Sequence, residues 1–203
     1  MAGRAAPRRG GRERAVPGLR RALAAPLRRA LRRAAASLGR RPDAGLSWIT
    51  PDLAVGKAGQ PPAALLAQGV RAVLDVRAEA APDDLRALRA AGLEVLRLRV
   101  PEHGAPTAGQ LRLGAGWARR RLLRGRPVLI QCRRGAGRSA TLAVATLVVL
   151  GRTPFAAYGA VREGRPPARP SAAQLEAVLA LRHGGGRRPR HQIEPPGRSH
   201  DAP

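Results

Sequence analysis

Cysteine, lysine and aromatic side chains are nearly absent from this chain. The one cysteine, Cys132, excludes an intramolecular disulfide and leaves a single thiol, either free for chemistry or buried and inert. Two Trp, one Tyr and one Phe leave the core to Leu, Val and Ala. So few rings also count against base-stacking recognition of single strands, and no nucleic-acid partner is expected. Acids are scarce, 13 against 38 basic residues, and Lys57 is the only lysine, so the formal charge of +25 rests on arginine. No apolar run approaches the roughly 18 residues that span a bilayer. Arginines interrupt every candidate signal-peptide core near the N-terminus, and a cytoplasmic location is expected.

What is present divides the 203 residues into three parts. Residues 1–43 hold thirteen arginines against two acids, Glu13 and Asp43. Leu19, Leu23, Leu27 and Leu31 recur every four residues with arginines on the other faces, a basic amphipathic pattern suited to an acidic membrane surface. The same composition suits an organellar transit peptide or a disordered basic tail. Residues 184–203, rich in Gly, Arg and Pro, read as a disordered tail. The charge as a whole fits a polyanionic partner, or a coding bias that raises Arg, Ala, Gly and Pro together.

Residues 44–183 alternate strand and helix signals. Strands are expected at 47–49, 53–56, 70–76, 93–100 and 127–131, and helices at 61–68, 83–91, 107–124, 138–150, 154–162 and 171–181. In the helix at 107–124, Leu111, Leu113, Trp117 and Leu122 are candidates for the core, and Asp83 and Asp84 read as capping acids. The alternation indicates an α/β layered domain with a central sheet, expected as a monomer.

The chemistry concentrates in residues 128–139 (VLIQCRRGAGRS), which run from an apolar strand through a glycine-bearing loop into an apolar helix. Backbone N–H groups of such a loop converge on an anion, and the helix behind adds its positive end. The field that binds a phosphate also favours a thiolate over a thiol at Cys132. Gly135 and Gly137 give the backbone freedom a tight cradle needs. Arg138 can set a planar fork on two phosphate oxygens, which lysine cannot. Asp75, at a strand end, reads as structural.

Cys132-Arg133-Arg134-Gly135-Ala136-Gly137-Arg138-Ser139 resembles the C-x-x-G-x-G-R-[S/T] signature of the protein tyrosine phosphatase superfamily. Residues 48–56 (WITPDLAVG), 69–77 (GVRAVLDVR), 98–107 (LRVPEHGAPT) and 165–171 (RPPARPS) with Gln174 are similar to blocks of its compact dual-specificity branch. The resemblance spans about residues 44–182. It implies a mixed sheet of about five strands flanked by helices and metal-free, cofactor-free hydrolysis of phosphomonoesters through a phosphocysteine. Cys132 would be the nucleophile and Arg138 the clamp, with the loop from Arg133 and Arg134 through Gly135, Ala136 and Gly137 to Arg138 binding phosphate. Ser139 would hydrogen-bond the departing thiolate, and Glu102 would stand as general acid.

Two positions depart from that pattern. Gln131 stands where the family usually has His, and an amide brings no positive charge to the thiolate. Glu102 stands where the family usually has Asp, and its extra methylene moves the carboxyl by more than about 1 Å. His103 is a lesser candidate for the acid. Arg133 and Arg134 resemble branches acting on phosphoinositides, phosphatidylglycerophosphate or RNA 5′-triphosphates, with compositional arginine as the alternative. Three functions follow: a phosphatase of phosphorylated proteins, a phospholipid or phosphoinositide phosphatase anchored through residues 1–43, or a catalytically weak phosphate- or nucleic-acid-binding module.

Overall fold

Short apolar runs closed by Gly, Pro and Asp become the strands of a sheet in the computed structural model, which describes residues 45–183. The expectations for residues 1–43 and 184–203 lie outside the described residues. Strands β1 (Leu46–Trp48), β2 (Leu53–Lys57), β3 (Ala72–Arg77), β4 (Glu94–Val100) and β5 (Val128–Cys132) are accompanied, among the described residues, by six helices, three between strands and three after β5. These are α1 (Pro62–Ala67), α2 (Pro82–Ala90), α3 (Ala108–Leu123), α4 (Arg138–Val149), α5 (Pro154–Gly164) and α6 (Ala172–His183). Proline opens α1, α2 and α5, where its missing N–H costs no helical bond. Thr107 and Gln110 close a reciprocal capping box at the start of α3.

The sheet has the order β1-β2-β5-β3-β4, with β1 antiparallel to β2 and the other neighbours parallel. Period-two alternation sorts the side chains between its faces. Val128, Ile130 and Cys132 of β5, with Leu74 and Val76 of β3, pack in the larger core with residues of α3 and α4. Leu129 and Val73 face the other way, onto Leu65 of α1 and Leu85 and Leu88 of α2. The mixed five-stranded sheet flanked by helices is the architecture expected. Among the described residues no helix is long and apolar enough to cross a membrane.

Because β2, β3, β4 and β5 run parallel, their carboxyl ends share one edge, and the loops that follow β3, β4 and β5 gather there. Crevices of α/β sheets bind ligands at that edge. Helix α4, buried along almost its whole length, fixes the position of the loop after β5.

Two expectations are corrected. Leu113 is 52% exposed, while Leu111, Gly114, Ala115, Trp117, Ala118 and Leu122 form the buried stripe of α3. At about 100° per residue, Leu113 lies some 200° from Leu111. The stripe is continued by small residues because a Cβ on Gly114 would lie 2.6 Å from Leu98 Cδ1 and 2.9 Å from Leu142 Cδ1. Asp83 and Asp84 do not cap α2: its N-cap is Ala81, without a side-chain bond. Asp83 pairs with Arg86, and Asp84 accepts from Arg77 at 3.3 Å.

Candidate active site

Cys132 ends β5 and is 3% exposed, at the floor of the loop that leads into α4. Its Sγ lies 3.1 Å from Ser139 Oγ and accepts the Gly135 N–H at 3.2 Å. The loop folds around the sulfur because Gly135 adopts φ +65° and has no side chain. A Cβ there would fall 2.5 Å from the Gly56 carbonyl carbon and 2.6 Å from Arg165 Nη2. Gly137 meets a different need. It is the N-cap of α4 at φ −96°, and a Cβ would press on Gln174 Oε1 at 3.2 Å, so its requirement is space. No side chain caps α4, which leaves its positive end facing the loop.

Arg138, buried at the first position of α4, is braced by a residue that sequence reasoning missed. Glu79, in the loop after β3, accepts from Arg138 Nη1 at 2.8 Å and from Nη2 at 2.6 Å. Nη1 also donates to the Val100 carbonyl at 2.8 Å. Of the five guanidinium N–H groups, these contacts leave Nε–H and the second N–H of Nη2. Those two lie along one edge of the guanidinium, a fork whose spacing suits two oxygens of one phosphate. The hydrogen bond to Arg138 holds the Glu79 carboxyl at about 2, against an ordinary 4.5. The same bond raises Arg138 further, against the effect of its burial.

Beneath the loop lies Arg165, only 8% exposed. Its Nε donates to the Gly135 carbonyl at 2.5 Å, Nη1 to Ser47 Oγ at 3.2 Å and Nη2 to the Arg134 carbonyl at 3.5 Å. Burial pushes this guanidinium below its ordinary value, and charge on Cys132 acts in the opposite sense. Tying the loop carbonyls downward turns the intervening N–H groups toward the cavity above.

Across that cavity, of about 230 Å³, stands Glu102. Both of its oxygens accept from Arg133 Nη1, at 3.0 and 2.8 Å, and His103 Nε2 lies 3.9 Å away. His103 is 80% exposed and adopts φ 63°, which turns the chain just beyond Glu102. The loop is pinned by Gln174, whose Nε2 donates to the Gly104 carbonyl at 2.8 Å. The cavity is thus walled by Glu102, Cys132, Arg133, Arg134, Arg138 and Arg169. Among the described residues, no cluster of three or more His, Cys, Asp or Glu is placed to hold a metal ion.

Gln131 does not reach the thiol. It points to the opposite face of the sheet, where its Nε2 donates to Asp75 Oδ2 at 2.8 Å. Asp75, fully buried, is also gripped by Arg77 at 2.7 Å and has the structural part expected of it. The amide therefore acts on Cys132 only through the backbone they share. The signal that could have revealed Glu79 was its place, two residues beyond the end of β3 on the ligand edge of the sheet. Arg165 lay within the 165–171 block but carried no assigned role.

A family model described as "Tc-R-P: Polymorphic toxin system, DSP-PTPase phosphatase" matches residues 56–152. Among solved structures, Tk-PTP in the active form is 30% identical, covering 68% of this chain and 97% of its own, with a TM-score of 0.62. PTPMT1, solved in complex with PI(5)P, is 24% identical over 69% of this chain and 96% of its own, with a TM-score of 0.62. Human DUSP28 is 21% identical over 69% and 94%, with a TM-score of 0.61. The last two likenesses are of fold. No curated protein matches the sequence.

Proposed function

The chain belongs to the dual-specificity branch of the protein tyrosine phosphatase superfamily and is a cysteine-dependent phosphatase, and from that premise we propose that Cys132 carries the phosphoryl group as a phosphocysteine. The observation that carries the assignment is the placing of Cys132 Sγ at the floor of an arginine-walled cavity, 3.1 Å from Ser139 Oγ and 3.2 Å from the Gly135 N–H.

The thiolate attacks phosphorus in line as the bond to the leaving oxygen breaks. Loop N–H groups from Arg133 to Arg138 and the free edge of Arg138 hold the equatorial oxygens, whose charge develops in the transition state. Glu102 gives its proton to the leaving oxygen. In the second step a water attacks the phosphocysteine, Glu102 takes a proton from it, and orthophosphate leaves. The Ser139 hydroxyl supports the departing thiolate. Arg133, Arg134 and the other loop residues thus bind phosphate, and Glu102 is the general acid and base.

The substrate is a phosphomonoester, on a protein or on a polyanion. The guanidinium groups of Arg133, Arg134 and Arg169 on the cavity wall support the polyanionic reading, phosphoinositide headgroups included. Association with an acidic membrane surface through residues 1–43 and a cytoplasmic setting remain parts of this proposal. Leaving-group dependence tests the acid. Glu102→Gln is expected to slow an alkyl phosphate, whose leaving group needs a proton, far more than p-nitrophenyl phosphate. Equal slowing of the two substrates removes Glu102 from the role.

A further inference from the structure

The general acid proposed above is not free in this structure. Arg133 Nη1 engages both oxygens of Glu102, so the carboxyl that lines the cavity over Cys132 is tied to a residue of the phosphate loop. The two partners differ in freedom. Arg133 is 62% exposed and swings on a long stem, while Glu102 is 30% exposed on a loop pinned by Gln174 at Gly104. When the pair opens, Arg133 is the side chain that moves.

What opens it follows from the charges around the cavity. Arg134 and Arg169 line the same cavity, and neither has a carboxylate partner among the described residues; Arg169 donates to the carbonyls of Pro166 and Ala168. Arg138 spends two donors on Glu79 and keeps one edge for the scissile phosphate. A lone phosphate in the cradle is therefore satisfied by Arg138 and the loop, and it leaves Arg133 on Glu102. A second phosphate beside the first meets Arg133, Arg134 and Arg169 together. A dianion with three acceptor oxygens outcompetes one part-exposed carboxylate for a guanidinium.

We infer that Arg133 is a substrate-operated latch on Glu102: a second phosphate vicinal to the scissile one draws Arg133 off the carboxylate, which then takes up a proton from solvent and gives it to the leaving oxygen. The inference rests on the reading of Glu102 as general acid. It makes Arg133 a specificity-determining residue that acts on kcat as well as on binding. The substrate class is a vicinal bisphosphate of a polyol, free or as a lipid headgroup. The small cavity favours two phosphates on adjacent carbons of one molecule over two on separate residues of a peptide.

The test compares cyclohexyl phosphate with 1,2-cyclohexanediol bisphosphate, both of which leave as alkoxides that need a proton. For the full-length wild type, kcat on the bisphosphate should exceed kcat on the monophosphate by on the order of 10-fold, a fraction of what general acids supply. Arg133→Ala should raise kcat on the monophosphate several-fold, raise KM for the bisphosphate and bring the kcat ratio near one. In a Glu102→Gln background the ratio should already be near one, and adding Arg133→Ala should not raise kcat. If Glu102→Gln slows both substrates but Arg133→Ala lowers kcat on the monophosphate and leaves the ratio unchanged, the latch is wrong and the acid stands. If Glu102→Gln slows neither, the acid assignment falls and the latch with it. The same bisphosphate, carried on a lipid headgroup in phosphatidylcholine vesicles, assigns the source by the form with the higher kcat/KM. A kcat ratio near one in both forms overturns the latch.

Discussion

The carboxylate of Glu79 holds the Arg138 guanidinium by its end, through bonds of 2.6 and 2.8 Å, and leaves its Nε edge open. Glu79→Ala frees the guanidinium to rotate about its stem. Since misplacing a catalytic group by about 1 Å can cost about 10²-fold, kcat/KM on an aryl phosphate should fall between about 10-fold and 10²-fold. Steady-state kinetics check this, and Glu79→Gln, which keeps one acceptor, should recover part of the loss.

The same pair should write itself into acid stability. The Arg138 hydrogen bond holds Glu79 at about 2 in the folded chain, below its ordinary 4.5. A depressed carboxyl stabilises the fold fully above its unfolded value, and that contribution is lost as pH falls from about 4.5 toward 2. Because the Glu79 side chain is 38% exposed, screening reduces the effect to about 1 kcal/mol. Denaturation of wild type and Glu79→Gln should therefore differ by that amount above about pH 5 and converge on acidification. A gap that stays constant down to pH 2 would mean that the pair does not stabilise the fold.

Gly135→Ala should disable the cradle. The substitution asks a side chain to sit at φ +65° against the Gly56 carbonyl and Arg165. Strain of this kind costs on the order of 1–3 kcal/mol and displaces the N–H that Cys132 Sγ accepts. Chemical denaturation should report that loss, and kcat/KM should fall by about 10²-fold. Wild-type kinetics in this variant would contradict the close approach of the Gly135 loop to Gly56 of β2.

Arg165 supports the loop from below, and its removal should cost activity more than stability. Arg165→Met keeps much of the buried stem while freeing the carbonyls of Gly135 and Arg134. It also removes a desolvated cation, which offsets part of the destabilisation. We expect kcat/KM to fall at least about 10-fold with little change in the thermal midpoint. Arg165→Lys should rescue poorly, since a point charge cannot span acceptors on Gly135, Arg134 and Ser47. Full recovery with lysine would show that charge alone matters there.

The sequence made the scaffold and the loop that carries Cys132 legible for a local reason. Strand, loop and helix of residues 128–139 are contiguous, and the positions of Cys132, Gly135, Arg138 and Ser139 follow from their spacing. The braces were not legible, because their partners are remote: Glu79 and Arg138 are 59 residues apart, Arg133 and Glu102 are 31 apart, and Arg165 and Gly135 are 30 apart. Gln131 shows the converse. It stands where the family usually has His, a place that implies an effect on the thiolate, but strand alternation sends its side chain to the far face, onto Asp75. Leu113 was misplaced by reading apolar character without the angle, and Asp83 by reading an acid near a helix start as a cap.

The most direct test of the central assignment is acid quenching during turnover of p-nitrophenyl phosphate, followed by peptide mass spectrometry. A phosphoryl group on the sulfur of Cys132 in the wild type, with turnover abolished in Cys132→Ser, is the expected result. Hydrolysis by Cys132→Ser at the wild-type rate would contradict it.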